Sequence, residues 1–167
     1  MVRLAFWQHY KIWRTSNLDL YLTINIFSAV VIFNLLYGCE SWVITPMIEN
    51  QLNTFDTKCL RAILRINILD HITNAEIYRR SGLSPIATIT RKRQLKWLGH
   101  SLRRTPDEPA KIFAFYEPTQ SQGQVKQGPA THELKWTQQV KSSLARYSDG
   151  LTVEQIEELA KDRKSWK

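Results

Sequence analysis

The 167-residue sequence has only two cysteines, and their scarcity limits the kind of protein it can be. Cys39 and Cys59 are too few for a disulfide scaffold and are wrongly spaced for a zinc site. The four histidines form no H-x-x-x-H pair, so this spacing of metal ligands is missing too. With 43% hydrophobic and 11% aromatic residues, the chain is expected to fold. We therefore predict an intracellular protein, nuclear or cytoplasmic, that holds no metal or other cofactor.

Catalytic motifs are also missing from the sequence. Two-metal nucleotidyl transfer needs carboxylates that converge on Mg²⁺, and the chain contains no Asp-Asp pair. Its adjacent acidic residues, 107–108 and 157–158, fall in a proline-rich segment and on a predicted helix surface. There is no glycine-rich phosphate loop or nucleophile elbow, and no partner is visible that would orient His100 as a base. The sequence therefore predicts no catalytic residue and no small-molecule substrate.

Charged residues are absent from 20–39 (LYLTINIFSAVVIFNLLYGC), a run that is long enough to cross a membrane. Thr23, Asn25, Ser28 and Asn34 interrupt the run, and polar groups of this kind need partners inside lipid. A helix that is buried on all sides in a soluble core produces the same pattern. We expect this second arrangement, with the helix as the central and most buried element. A small membrane-anchored protein is the alternative.

Acidic residues are absent from 79–104, and here the consequence is a concentration of positive charge. The stretch holds eight of the 23 basic residues, which are Arg79, Arg80, Arg91, Lys92, Arg93, Lys96, Arg103 and Arg104. The rest of the chain has 15 basic and 15 acidic side chains, so the formal charge of +8 arises entirely in this stretch. A block of one sign repels itself unless it is solvated or meets a polyanion.

The same stretch has the periodicity of a helix that separates charge from apolar side chains. Ser84 can cap this helix, and Pro85 suits its first position. At about 100° per residue, Leu95, Leu98 and Leu102 share one stripe, and most of the basic residues lie opposite. Such a helix can pack on one side and contact phosphates on the other. We predict a nucleic-acid-binding surface made of Arg79, Arg80, Arg91, Lys92, Arg93, Lys96, Trp97, His100, Arg103 and Arg104. The alternative is a solvated basic face that binds nothing.

Helix start and stop signals recur along the chain, and no strand pattern competes with them. Thr45-Pro46 opens a helix in which apolar residues recur at spacings of four and three, namely Ile48, Leu52, Phe55, Cys59 and Ile63. Thr73 and Glu76 form a capping box for a short helix that Gly82 closes. We therefore predict an all-α fold, an irregular bundle of about five to six helices.

Prolines divide the chain near its end. Four of them, together with the run QSQGQVKQGP, mark 105–130 as a linker. After the linker, Trp136, Val140, Leu144 and Tyr147 share one helix face, and a capping box at Thr152 opens a last helix. We predict a helical domain over 1–104 that ends with the basic helix, a linker over 105–130 and a helical pair over 131–167.

Five segments occur in a characteristic order along the chain: IFNLLYGCESW (32–42), FDTKCLRAIL (55–64), DHITNAEIYRRSGLSPI (70–86), RKRQLKWLGHSLRR (91–104) and ELAKDRKSW (158–166). In this order and in approximate spacing, they resemble the C-terminal part of the reverse transcriptases of LINE-type (non-long-terminal-repeat) retrotransposons. The resemblance implies a polymerase thumb over 1–104 and a following helical region. In that family the catalytic aspartates belong to the palm, which precedes this part. The residues 126–136 (KQGPATHELKW) depart from the family, because an arginine-rich run before the tryptophan is missing.

The resemblance also implies partners and a function. The basic segment 91–104 would lie near RNA or an RNA/DNA hybrid, and a polymerase palm domain would be the protein partner in a longer product. The first hypothesis is a non-catalytic fragment of a retrotransposon-derived RNA-directed DNA polymerase that binds RNA or DNA backbone without sequence preference. The alternative from another class is a helical protein-interaction or structural module whose basic face is only solvated.

Overall fold

The computed structural model describes residues 6–14, 18–114, 136–145, 153–163 and 166, and these residues form helices and turns without a strand. The predicted all-α class is therefore confirmed. The helices are α1 (Tyr10–Arg14), α2 (Leu20–Phe27, continued by a π-helical turn at Ser28–Ile32 and by Phe33–Leu35), α3 (Pro46–Leu64), α4 (Asn74–Ser81), α5 (Ile86–Leu102), α6 (Pro109–Ala114), α7 (Trp136–Ala145) and α8 (Val153–Lys161). Even within the described residues there are more helices than the five to six predicted.

The chain divides into two compact units. The first contains α1 to α4 and the first turn of α5, and the second contains the segment 40–45, the rest of α5 and the helices α6 to α8. The predicted division into 1–104, 105–130 and 131–167 stays a prediction, because most of its linker, from 115 to 130, lies outside the described residues.

Apolar side chains from each helix of the first unit fill its core. Trp13 stacks on Phe6 with ring centroids 5.5 Å apart and donates its indole N–H to the Phe6 carbonyl at 2.7 Å. The helices α2 to α5 contribute further residues that are completely buried, among them Phe27, Val31, Leu60, Ile77 and Ile86. Full burial of a side chain of this size contributes roughly 1.5–3 kcal/mol relative to exposure, so this cluster holds the unit together.

The prediction that the uncharged run 20–39 forms the most buried element is wrong. In α2 one side is buried, with Phe27 and Val31 fully covered, whereas Tyr21 on the other side is 74% exposed and Phe33 is 61% exposed. Composition misled the prediction because large uncharged side chains also occur at protein surfaces. No helix in the described part of the chain is long and apolar enough to cross a membrane.

Several predicted helix ends are confirmed. Helix α3 begins at Pro46, as the Thr45-Pro46 pair predicts. The Thr73 hydroxyl accepts a hydrogen bond from the Glu76 N–H at 3.3 Å and caps α4. Gly82 ends that helix in the left-handed conformation, with φ of 69°, which glycine adopts without a steric penalty. Helix α5 begins one residue later than predicted, with Ile86 as its first residue. The capping box predicted at Thr152 lies outside the described residues.

Candidate nucleic-acid interface

The leucine side of α5 is buried, as predicted, and it forms part of the core of the second unit. Leu98 is fully buried and Leu102 is 5% exposed. They belong to a cluster with Val140 of α7 and with Ile156 and Ala160 of α8. Helix α5 is therefore anchored along one side, and the orientation of its basic side follows from this packing.

Three long side chains bind the backbone of the segment 42–45, which has no regular secondary structure, and of the 3₁₀ turn Cys39–Ser41 before it. The Trp136 indole N–H donates to the Glu40 carbonyl at 2.8 Å, and the Gln94 amide donates to the Trp42 carbonyl at 2.7 Å. The N–H of Ile44 donates to the Gln139 side-chain oxygen at 2.7 Å. Buried backbone groups need such partners when no helix or sheet supplies them. The tryptophan and glutamine side chains thus hold the segment in place.

Gly99 makes room for the indole ring of Trp166. The Trp166 indole N–H donates to the Leu95 carbonyl at 3.0 Å, one helical turn before Gly99. A Cβ atom on Gly99 would lie 2.7 Å from Trp166 Cδ1 and still closer to two other atoms of the ring. Beside this contact, Trp97 packs edge-to-face against Trp136, with centroids 5.4 Å apart and an interplanar angle of 88°. A glycine at position 99 is therefore required by packing.

These contacts give a structural role to residues that sequence reasoning either missed or assigned to binding. Gln94 is 2% exposed and Gln139 is 7% exposed, yet neither was predicted to be a core residue. For the contact with Trp166, the available signal was Gly99 inside a strongly helical pattern. A glycine there costs roughly 1 kcal/mol relative to alanine and therefore indicates close packing. Trp97, a predicted contact for nucleic acid, is half-buried and packs against Trp136.

Two of the predicted basic residues are paired with an acidic neighbour on their own helix. Arg79 and Arg80 both bind the Glu76 carboxylate, at 2.6 and 2.7 Å. The hydrogen bonds from Arg79 and then Arg80 lower the pKa of Glu76 to about 2. Because Glu76 stays ionised under ordinary conditions, it offsets part of the positive charge at this end of the stretch.

Three other predicted residues lie partly inside the second unit. Arg103 donates from Nη1 to the Ala160 carbonyl at 2.8 Å, in the last turn of α8, where the helix dipole favours a cation. Arg91 and Arg93 are half-buried, and each of them has an interaction partner. The geometry therefore gives Arg103 a packing role and leaves Arg91 and Arg93 only partly accessible.

Four predicted residues form a continuous exposed row, which we call the basic stripe: Lys92, Lys96, His100 and Arg104. They recur at every fourth position; the first three lie on α5 and, at 1.5 Å per residue, extend over roughly 12 Å, and Arg104 follows two residues after the end of the helix. Arg104 Nη2 lies 3.0 Å from His100 Nε2, and its Nη1 lies 3.5 Å from a Glu108 carboxylate oxygen. Among the described residues, no acidic side chain pairs with Lys92 or Lys96.

A metal centre finds no support in the part of the chain that the structure describes. No three side chains of the kinds that bind metals, His, Cys, Asp or Glu, come together there. Ammonium, imidazole and guanidinium groups on one exposed row offer hydrogen-bond donors and positive charge to phosphate oxygens.

The chain is similar to a transposon-derived protein of Caenorhabditis elegans, with 23% identity over 156 residues. The aligned region covers 90% of this chain and 54% of the C. elegans protein, so the chain spans about half the length of this relative. No known protein family matches the sequence, and no solved structure matches it. The similarity supports a transposon origin for the chain.

Proposed function

We propose that the chain is a non-catalytic helical region of a retrotransposon-derived RNA-directed DNA polymerase, and that it binds the RNA or DNA backbone without sequence preference. The observation that carries the proposal is the basic stripe, an exposed row of four basic residues along and just beyond a helix whose other side is buried. The similarity to a transposon-derived protein supports the origin. The segments that resemble LINE-type reverse transcriptases support the narrower assignment to the thumb.

The geometry of the stripe favours the phosphate backbone over the bases as its target. Lysine side chains at 92 and 96 are flexible point charges, which suit phosphates but carry little information about sequence. A polymerase thumb can hold an A-form hybrid through such contacts, because shape and phosphates suffice for its task. Since Arg104 also lies near Glu108, only part of the stripe is fully available. We therefore expect weak binding that depends strongly on salt.

The test replaces the two lysines of the stripe. In the double variant Lys92→Gln, Lys96→Gln, the affinity for a labelled single-stranded RNA is measured by fluorescence anisotropy at several salt concentrations. Each lost phosphate contact lowers the slope of log K against log[salt] by about 0.7 on a single strand, so the expected loss is about 1.4. The same measurement with a DNA duplex should give a slightly larger loss, about 0.9 per contact.

A matched control removes the same amount of charge elsewhere in the basic stretch. The double variant Arg79→Gln, Arg80→Gln should leave the slope almost unchanged, because both guanidinium groups already bind Glu76. Equal losses in the two variants would show that net charge acts without a defined site. If the unaltered protein does not bind RNA or DNA at low salt, the proposal is wrong, and the alternative of an interaction module with a solvated basic face is favoured.

A further inference from the structure

A carboxyl group is buried without a partner in the core of the first unit. Asp56 lies on α3 and is 0% exposed, and within the described residues neither of its carboxylate oxygens has a hydrogen-bond partner. The hydroxyl of Tyr78, on α4, lies beside it and is also buried without a partner there. The backbone N–H of Ile86, in the first turn of α5, is the third group that faces the carboxyl. Three helices therefore meet at one titratable group.

The groups around Asp56 offset a negative charge only in part. Burial raises the pKa of Asp56 from 3.8 to about 6, although the Tyr78 hydroxyl and the Ile86 N–H oppose the rise. Cys59, one turn later on α3, has its pKa raised to about 12, by burial and then by the charge of Asp56. The pKa of Tyr78 is also raised, by burial first and by Asp56 second. Both neighbours therefore stay neutral at ordinary pH, and neither a thiol nor a phenol can form the cation that would pair with an ionised Asp56.

On helices α1, α2 and α4, the remaining basic and phenolic side chains that the structure describes are exposed. The basic residues of α4, Arg79 and Arg80, are exposed and bind Glu76. Helices α1 and α2 also pack against α3, and their described titratable side chains, Tyr10, Lys11 and Tyr21, are exposed. An ionised Asp56 would thus be a buried charge that the described residues compensate only in part, and proteins avoid such a charge by protonation or by opening to water.

We propose that Asp56 is a pH-dependent latch, which joins α3 to α4 and to the first turn of α5 when it is protonated and loosens this junction when it is ionised. In the protonated state the carboxyl is neutral, so its burial among the three helices carries no charge penalty. In the ionised state the carboxylate needs water or several donors, and the Tyr78 hydroxyl and the Ile86 N–H offset only part of the cost of burying it. The junction is therefore tighter in mildly acidic solution than at neutral pH.

The experiment compares unfolding and local opening at pH 5 and pH 7.5. The midpoint temperature of thermal unfolding of the unaltered protein should be lower at pH 7.5 than at pH 5. The midpoint temperature of Asp56→Asn should change much less between these pH values, because the amide does not ionise. Hydrogen exchange of the Ile86 amide, corrected for its intrinsic rate, should become at least tenfold faster at pH 7.5 in the unaltered protein only. The same pH dependence in both proteins would contradict the latch.

Two further measurements keep the proposal testable if Asp56→Asn does not fold. The variant Tyr78→Phe removes a hydroxyl that lowers the pKa of Asp56, so its pH transition should move to higher pH. A merely structural hydroxyl would leave the position of the transition unchanged. The carboxyl ¹³C shift of Asp56 in the unaltered protein should titrate about two pH units above an ordinary aspartate. A midpoint near the ordinary value would overturn the proposal.

Discussion

The two units of the chain both bury polar side chains, but they satisfy them differently. In the second unit, the buried amides of Gln94 and Gln139 bind each other at 3.5 Å and bind the backbone of 42–45. In the first unit, Asp56 and Tyr78 are buried side by side without a hydrogen-bond partner among the described residues. The same burial therefore produces a satisfied network in one unit and an unsatisfied pair in the other.

The difference shows which kind of buried polar group specifies one packing and which kind makes stability depend on pH. A satisfied neutral network does not change over the ordinary pH range, and it specifies one packing because any other leaves a group without its partner. An unpaired carboxyl has a stability contribution that depends on its protonation, and the surrounding structure therefore depends on pH. Replacing the unpaired carboxyl should therefore raise the free energy of unfolding at neutral pH, whereas replacing an amide of the satisfied network should lower it.

The largest expected effect is a gain of stability in the first unit. Asp56→Asn should stabilise the protein at pH 7.5 by up to about 3 kcal/mol, since a pKa raised by about two units corresponds to 1.36 kcal/mol per unit. The stabilising contribution of the protonated carboxyl is complete below pH 3.8 and is lost as the pH rises through about 6. Urea unfolding of both proteins at pH 7.5 and at pH 4.5 measures the effect, and the gain should be much smaller at the lower pH.

Glu76 offers a control with the opposite sign on the same helix. Its pKa is lowered to about 2 from 4.5, so its stabilising contribution is present above pH 4.5 and is lost as the pH falls through about 2. Glu76→Gln should therefore alter the acid side of the stability profile and leave the change between pH 5 and pH 7.5 intact. If Glu76→Gln abolished the change in stability between pH 5 and pH 7.5, that change would arise from Glu76 and not from Asp56.

The next effect is a loss of stability in the second unit. Gln139→Leu keeps the size of the side chain but leaves the Ile44 N–H without its acceptor, and a buried unpaired group of this kind costs roughly 1–3 kcal/mol. Urea unfolding measures the loss, which should not depend on pH. Ser142→Ala is the control on the same helix, because the exposed Ser142 hydroxyl bonds only within α7, and its loss should be below about 0.5 kcal/mol. A neutral Gln139→Leu would show that the amide network contributes little.

A smaller loss is expected where Trp166 packs on α5. Gly99→Ala displaces the indole and its hydrogen bond to Leu95, and the net loss should be about 1–2 kcal/mol after the gain in helix propensity. In the background Trp166→Ala the same change should become stabilising, by up to roughly 1 kcal/mol, because only the propensity remains. A double-mutant cycle by urea unfolding measures this reversal. Additive effects would mean that the ring does not lie on Gly99.

Much of the local structure could be predicted from the sequence, because its causes are local. The capping hydroxyl of Thr73, the left-handed Gly82 and the leucine side of α5 each follow from residues within a few positions of one another. Dihedral preferences and a helical period suffice for such features. The exposed row from Lys92 to Arg104 followed from the same period.

The rest depends on contacts between residues far apart in sequence. The bonds from Gln94 to Trp42 and from Gln139 to Ile44 connect segments that no periodicity relates. Asp56 lies beside the apolar stripe of α3, and nothing in the local pattern distinguishes a buried aspartate from a solvated one. The partly packed state of Arg103 and Trp97 likewise depends on α7 and α8. Of the ten predicted binding residues, the structure leaves four in one exposed row.

The smallest effect on stability is expected for the variant with the largest effect on binding. Lys92→Gln with Lys96→Gln should change the free energy of unfolding by less than about 0.5 kcal/mol, because both side chains are exposed and neither pairs with an acidic residue in the described part of the chain. Arg103→Gln is the comparison on the same helix, and it should destabilise by about 1–2 kcal/mol, since its guanidinium binds the Ala160 carbonyl. Urea unfolding and the RNA titration on the same samples separate the two roles. If the lysine variant lost as much stability as the arginine variant, the stripe would belong to the packing of the second unit, and its exposure would no longer argue for a partner.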